Sequence, residues 1–344
     1  FGDFSTTQVR ALQTTQIPSI NSSVSFTSGQ LLVLSAQQLG VMATAQVATF
    51  ETTAIAGFST SQILGFSSTN LSALDATQAG ALTTTQIASF STTQVGGLNA
   101  TDIAELDATQ VGAFTRTQVV RLGTESVAAL DTTQIAAIAP TVLQALSTTQ
   151  LGALEAADVA EFTTTQIASL STTQVRGLST TFVSGLSDSQ VAALTTTQLG
   201  SLTTTSLSAL EATQTAAMTT TQVRALSTTQ LVALNATDVG EFTTAQVAAL
   251  TNTQAQSLTS TQLGGFADTQ IQALTTTQLA SMSTTQVRNF STDILAAMDT
   301  TQVAGLTATQ VAAVTTTNLN ALDASKLNAL STTQVRGLTT TQLS

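Results

Sequence analysis

The 344 residues carry eight basic and nineteen acidic side chains, a net charge of −11, with only 8% charged and 42% hydrophobic residues. So acidic and charge-poor a chain is excluded from an electrostatic grip on nucleic acid or an anionic membrane, which need Lys and Arg against phosphate, while its apolar content suffices for a core and argues against disorder. Cysteine, histidine, tryptophan and tyrosine are absent, which removes thiolate, imidazole and zinc chemistry and leaves cysteine usage silent about compartment.

The chain opens Phe1-Gly2-Asp3-Phe4 without an initiator Met, signal peptide or capping repeat, and the expectation is an excerpt of a longer or processed protein. An irregular coil is expected at 18–26: Pro18 precedes a six-residue spacing from Ile20 to Phe26, across Asn21-Ser22-Ser23-Val24-Ser25, which reads as a kink or a shortened coil. From Leu34 to Leu338 every eighth residue is apolar, and the unit is Ser/Thr-Thr-Thr-Gln-Val-Ala-Ala-Leu, as in Ser147-Thr148-Thr149-Gln150-Leu151-Gly152-Ala153-Leu154. One period with no linker predicts a single elongated array over 1–344. No run of eighteen apolar residues occurs, so no membrane span is expected.

With Ser/Thr as position 1, forty octads begin at residues 27 through 339. Position 1 is Ser, Thr, Asp or Asn except at Ala43, Glu51, Gly123, Ala139, Glu155, Glu211 and Ala267. Those four types are helix N-caps. Position 4 is Gln in twenty-eight octads and Asp in three, Asp102, Asp158 and Asp238; Ser/Thr followed three residues later by Gln is a capping box. Positions 8 and 5 are then the two ends of a hydrophobic staple. Pro140 falls at position 2, the first helical site, where its missing N–H is harmless. Position 7 is small, which lets the chain turn or pack closely.

Each octad therefore predicts one short capped helix. A continuous helix fails, because apolar positions eight apart drift by roughly 80° per unit at 100° per residue. The alternative is a β-solenoid, since Thr and Val favour strands; against it, positions 5 and 8 would point to opposite faces of a strand. The run Met218-Thr219-Thr220-Thr221-Gln222-Val223-Arg224-Ala225-Leu226 resembles the first-helix opening of TAL effector repeats. That resemblance covers nine residues per octad, lacks their Pro, Glu, second helix and base-reading loop, and implies a helix start without implying DNA binding.

In the last third of the chain Leu at position 5 recurs at multiples of sixteen (Leu199, Leu231, Leu263, Leu279, Leu295, Leu327, Leu343), with Val or Ile in most alternate octads. The spacing predicts a solenoid of short capped α-helices with two octads, sixteen residues, per coil, positions 5 and 8 inside and positions 2, 3 and 6 outside. Arg176, Arg224, Arg288 and Arg336 share position 6 at the same multiples, and are expected to line one self-association edge.

The acidic spots Asp102, Glu105 and Asp107; Glu155, Asp158 and Glu161; and Asp238 and Glu241 are the candidates for a metal, because carboxylates with backbone oxygens hold calcium. The competing reading has Asp replacing Gln in the capping box and Glu ending the turn in solvent. Thr-rich faces suggest ice binding only on a flat β-solenoid. Asn70-Leu71-Ser72, Asn99-Ala100-Thr101 and Asn235-Ala236-Thr237 match N-glycosylation sequons. No residue departs from the repeat to form an activated nucleophile or a tuned acid–base pair, so neither catalysis nor a cofactor is expected.

Such Thr/Gln/Ala-rich arrays resemble the repeat regions of large bacterial secreted or cell-surface structural proteins: adhesin stalks, matrix fibres, sheaths and coats. The resemblance implies an extracellular filament or stalk segment that associates with copies of itself, or else a binding solenoid that presents its surface to carbohydrate, protein or ice.

Overall fold

The computed structural model describes residues 3–21 and 24–344. Among them are forty-one α-helices and one 3-10 helix, with no strand. The chain forms a solenoid of short helices, and the β-solenoid alternative is not adopted. The ice-binding reading, which required flat β-ladders of hydroxyls, loses its geometric basis. By its contacts the chain divides into two compact units, Phe1–Gly177 and Leu178–Ser344, each built in the same way.

One octad shows how the sequence makes the element. Thr83 is extended (φ −77°, ψ 155°), and its hydroxyl accepts the N–H of Gln86 at 3.2 Å. The Gln86 carboxamide oxygen accepts the N–H of Thr83 in return, at 2.7 Å. The helix Thr84–Ser89 ends where Phe90 returns to ψ 135°. At the seven octads without a capping residue, the N-cap side chain makes no such bond, and Pro140 occupies the first helical position. Helices of four to six residues lie far below the length that is stable alone, so packing must hold them.

Within each unit that packing joins an octad to the third octad after it. Thr84–Ser89 lies between Thr60–Ile63 and Ala108–Gly112, and in the second unit Thr196–Ser201 lies on Thr220–Ala225. The coil is therefore three octads, and the expected sixteen-residue coil is not formed. The physical reason is the core layer: three successive position-8 side chains meet at the centre, as Phe50, Phe58 and Phe66 do with ring centroids 5.5–6.3 Å apart. Two helices back to back would enclose only two such side chains per layer. Positions 5 and 8 are buried as expected, Ile87 at 0% and Phe90 at 5% exposure, except in the last three octads, where Leu327, Val335 and Leu343 at position 5 are exposed.

The first coil is shorter by two residues. Gln30, Gln38 and Gln46 each bond a carbonyl 26 residues back, on Phe4, Leu12 and Ile20, where later octads reach back 28. Pro18 lies in the 3-10 helix Ile17–Ser19; residues 22 and 23 of the expected irregularity are outside the described residues. No described residue has positive φ, so small residues at position 7 serve close approach rather than a turn. A Cβ on Gly65 would meet the Ala36 carbonyl oxygen at 2.2 Å, one coil below.

Candidate functional surfaces

The glutamine at position 4 does more than close its own cap. Gln86 turns its Nε2–H group to the coil beneath and donates to Ile55 O and Phe58 O, both at 2.8 Å; Gln254 does the same to Val223 O and Leu226 O at 2.9 Å. Helix side chains tilt toward the N-terminus, which aims the amide at the corner below. Carbonyls at a helix C-terminus lack intrahelical partners; these bonds satisfy those of Phe58 and Leu226 and add a second donor to those of Ile55 and Val223, which already accept the C-cap N–H. Gln86 and Gln254 are each 2% exposed, so the glutamines form a buried, fully bonded polar ladder from coil to coil. Sequence reasoning saw only the capping box. The missed signal is that Gln persists where no capping residue precedes it: Ala43 with Gln46, Glu211 with Gln214, Ala267 with Gln270.

Other residues at position 4 show what the site demands. Asn70 and Asn318 are one carbon shorter and reach only the nearer carbonyl, on Met42 and Phe290. Ser126 reaches Leu98 O at 2.9 Å, and the Lys326 ammonium donates to Ala296 O. Aspartate cannot donate. Asp102, Asp158 and Asp238 each accept the N–H of their own N-cap residue, at 2.8, 2.8 and 3.0 Å, and Asp102 also takes the Ser72 hydroxyl from the coil below at 2.6 Å.

These aspartates thus occupy the capping box. Asp107 caps the next helix, accepting from Gln110 N–H and Thr109 hydroxyl, and those bonds hold its carboxyl below the usual range, the Thr109 bond most. Glu105, Glu161 and Glu241 follow their helices as C-caps, and Glu155 is an N-cap without a side-chain bond. Burial pushes the Glu105 carboxyl up, with Asp102 and Asp75 adding to it; burial does the same for Glu241 against a bond from Thr215. Among the described residues no group of three or more His, Cys, Asp or Glu is arranged to hold a metal ion. The Asn70 sequon is buried, its amide committed to Met42; Asn99 and Asn235 are exposed N-caps.

A three-octad coil also breaks up the arginine row. Arg288 and Arg336 are six octads apart, two full coils, and share one side of the second unit; Arg224, eight octads before Arg288, falls on another side. Arg176 belongs to the first unit. The four do not form one edge, because the sixteen-residue register that aligned them is not the coil. The outer surface is carried instead by positions 2 and 3, threonine in most octads and exposed on each of the three sides. Open clefts of about 540 and 500 Å³ lie at corners, one around Thr49, Glu51, Thr53 and Asp75, the other around Thr285, Arg288, Thr315 and Thr339. Cavities inside the core are about 10–20 Å³, room for one water at most.

Fold and surfaces together define a helical tandem-repeat protein. Three stretches, residues 127–164, 172–204 and 216–252, are similar to the ALTTAQ repeat. That pattern runs through the corner of the coil, from position 7 to the stitching glutamine, as in Ala193-Leu194-Thr195-Thr196-Thr197-Gln198. No curated protein matches the chain. Among the described residues no helix is long and apolar enough to cross a membrane.

Proposed function

We propose that the chain is a structural, self-associating segment of an extracellular or cell-surface fibre, stalk or coat, without catalytic activity. The observation that carries this reading is the outer surface: exposed threonines at positions 2 and 3 recur on all three sides of each coil, with charge at only 8% of residues. Such a surface has little of the self-repulsion that keeps soluble proteins apart. Among the described residues the interior is committed to the core and the glutamine ladder, with core cavities of about 10–20 Å³. Sedimentation velocity of the intact chain across roughly 1 to 100 μM, with electron microscopy of the same samples, tests it against the weak association of an ordinary surface. Concentration-dependent filaments or sheets support it; a monodisperse monomer throughout overturns it.

The Thr-lined corner clefts favour a second reading, a binding solenoid or adhesin that presents repeated polar sites to carbohydrate or a surface protein. Both are open and lined largely by polar groups, which suits an extended polar chain laid along the surface rather than an enclosed small ligand. A monomer that is retained on a polysaccharide matrix would favour this reading.

A further inference from the structure

The three Asp–Glu pairs differ in what lies beneath them. One coil below Glu105 and Glu241, position 5 holds Ala79 and Thr215; below Glu161 it holds Ile135. Val, Ile or Leu fills this place in nearly every other octad, and Thr215 is its one polar occupant among them, buried at 5% exposure. Thr215 stands beside the Glu241 carboxyl, and its hydroxyl acts against the upward push of burial there. Small cavities accompany both exchanges, about 20 Å³ beside Ala79, Asp102 and Glu105, and about 10 Å³ beside Thr215 and Asp238. Among the described residues Glu241 Oε2 is the one buried side-chain polar atom with no hydrogen-bond partner. The same two octads have lost the donor that glutamine supplies at position 4.

We propose that Glu241 is a proton-operated latch between stacked coils: a proton gives its buried, unpartnered Oε2 an O–H to donate across a seam that lacks the position-4 glutamine, and the seam tightens in acid; Glu105, beside the cavity over Ala79, is the second such carboxyl. Asp238 faces Glu241 from its own helix. The helix below, Ala212–Ala217, brings Thr215 and carries Glu211 at its N-cap, and the helix above, Ser260–Gly264, carries no titratable residue. Around Glu105 the corresponding groups are Asp102 on its own helix, Asp75 at the N-cap of Ala76–Gly80 below, and Glu125 on Thr124–Ala128 above. Burial and the neighbouring carboxylates raise both glutamates above their usual range. A raised acid binds its proton more readily in the folded chain, so its contribution is fully present below the unfolded value of about 4.3 and is lost as pH rises through the folded value.

Hydrogen exchange of the full chain between pH 7 and about pH 4.5, corrected for intrinsic rates, reads the latch directly. Protection of residues 211–218 and 235–242 should rise at least about threefold on acidification, relative to the Glu161 seam over Ile135. Glu241→Gln carries a permanent N–H donor and should be equally protected at both pH values; Glu161→Gln should leave the profile unchanged. Thr215→Val removes the neighbouring hydroxyl that holds the Glu241 carboxyl down, and should move the midpoint of the protection change to higher pH. No pH response in the wild type, the same response in Glu241→Gln, or an unmoved midpoint in Thr215→Val would each overturn the proposal.

Discussion

Gln86 gives its side-chain N–H to the carbonyl of Phe58, 28 residues earlier, at 2.8 Å, and so ties its own corner to the corner of the coil below. Its oxygen meanwhile closes the cap on Thr83. One carboxamide, donor at one end and acceptor at the other, thus couples helix initiation to stacking. The same bond, repeated at glutamine octads within each unit, gives each stack a direction: donors face the lower-numbered coil and carbonyls the higher.

Replacing one ladder glutamine should cost more than its size suggests. Gln254→Leu roughly keeps the volume but strands the Thr251 N–H and the Leu226 carbonyl, while the Val223 carbonyl keeps the Leu226 N–H, an expected loss of about 2–4 kcal/mol from two buried unsatisfied groups. Asn252→Ala, at exposed position 2 of the same octad, should stay within about 0.5 kcal/mol. Urea unfolding of both variants decides it, and equal effects would mean that the ladder is dispensable.

Leu226 is 3% exposed at position 8, whereas Thr220 at position 2 is on the surface. Leu226→Asp buries an unpaired charge and should destabilise by several kcal/mol, while Thr220→Asp should be almost silent by circular dichroism melting.

Glycines should answer to alanine with opposite signs. Gly200, inside the helix Thr196–Ser201, has no atom within 4 Å of the place a Cβ would take, so Gly200→Ala should stabilise by about 0.5–1 kcal/mol through helix propensity. Gly265→Ala would place its Cβ 2.5 Å from the Ala236 carbonyl oxygen; pushing two coils apart should cost about 1–3 kcal/mol. Thermal melting of the two variants checks the pair of signs.

The capping aspartates give a pH dependence opposite in sign to that of the buried glutamates. Asp131 accepts from Gln134 N–H and Thr133 hydroxyl, both at 2.8 Å, and those bonds, the backbone one first, hold its carboxyl below the usual range. A lowered acid stabilises the fold above its unfolded value of about 3.9, and that contribution disappears as pH falls through the folded value. Asp131→Asn keeps the acceptor and removes the charge, so its melting temperature should fall less steeply than that of the wild type below about pH 4. A parallel decline would assign the acid sensitivity elsewhere.

Much of the local structure was legible in the sequence. Cap, box and staple share one register, so helix starts, Pro140 at a first helical position and the burial of positions 5 and 8 all followed from single octads. The number of octads per coil did not, because each octad carries the same pattern and any number per turn buries the same positions. The Leu/Val alternation at position 5 records side-chain size rather than stacking: Leu263 and Leu279, two octads apart, lie on different sides of a three-octad coil. The downward bond of glutamine was hidden because the capping box already accounted for that residue. At the candidate sites, Asp in the capping box was readable, whereas the burial of Glu241 Oε2 beside Thr215, a residue of the coil below, was not.

An engineered disulfide tests the three-octad coil most directly, in a chain with no native cysteine. A Cβ on Gly112 would lie 3.5 Å from the Cβ of Ala137, which stands one coil above, within the separation a disulfide spans. The pair Gly112→Cys with Ala137→Cys should crosslink under mild oxidation, and Gly112→Cys with Ala129→Cys, placed as a sixteen-residue coil would require, should not. Crosslinking of the second pair in preference to the first would contradict the three-octad coil and the ladder built on it.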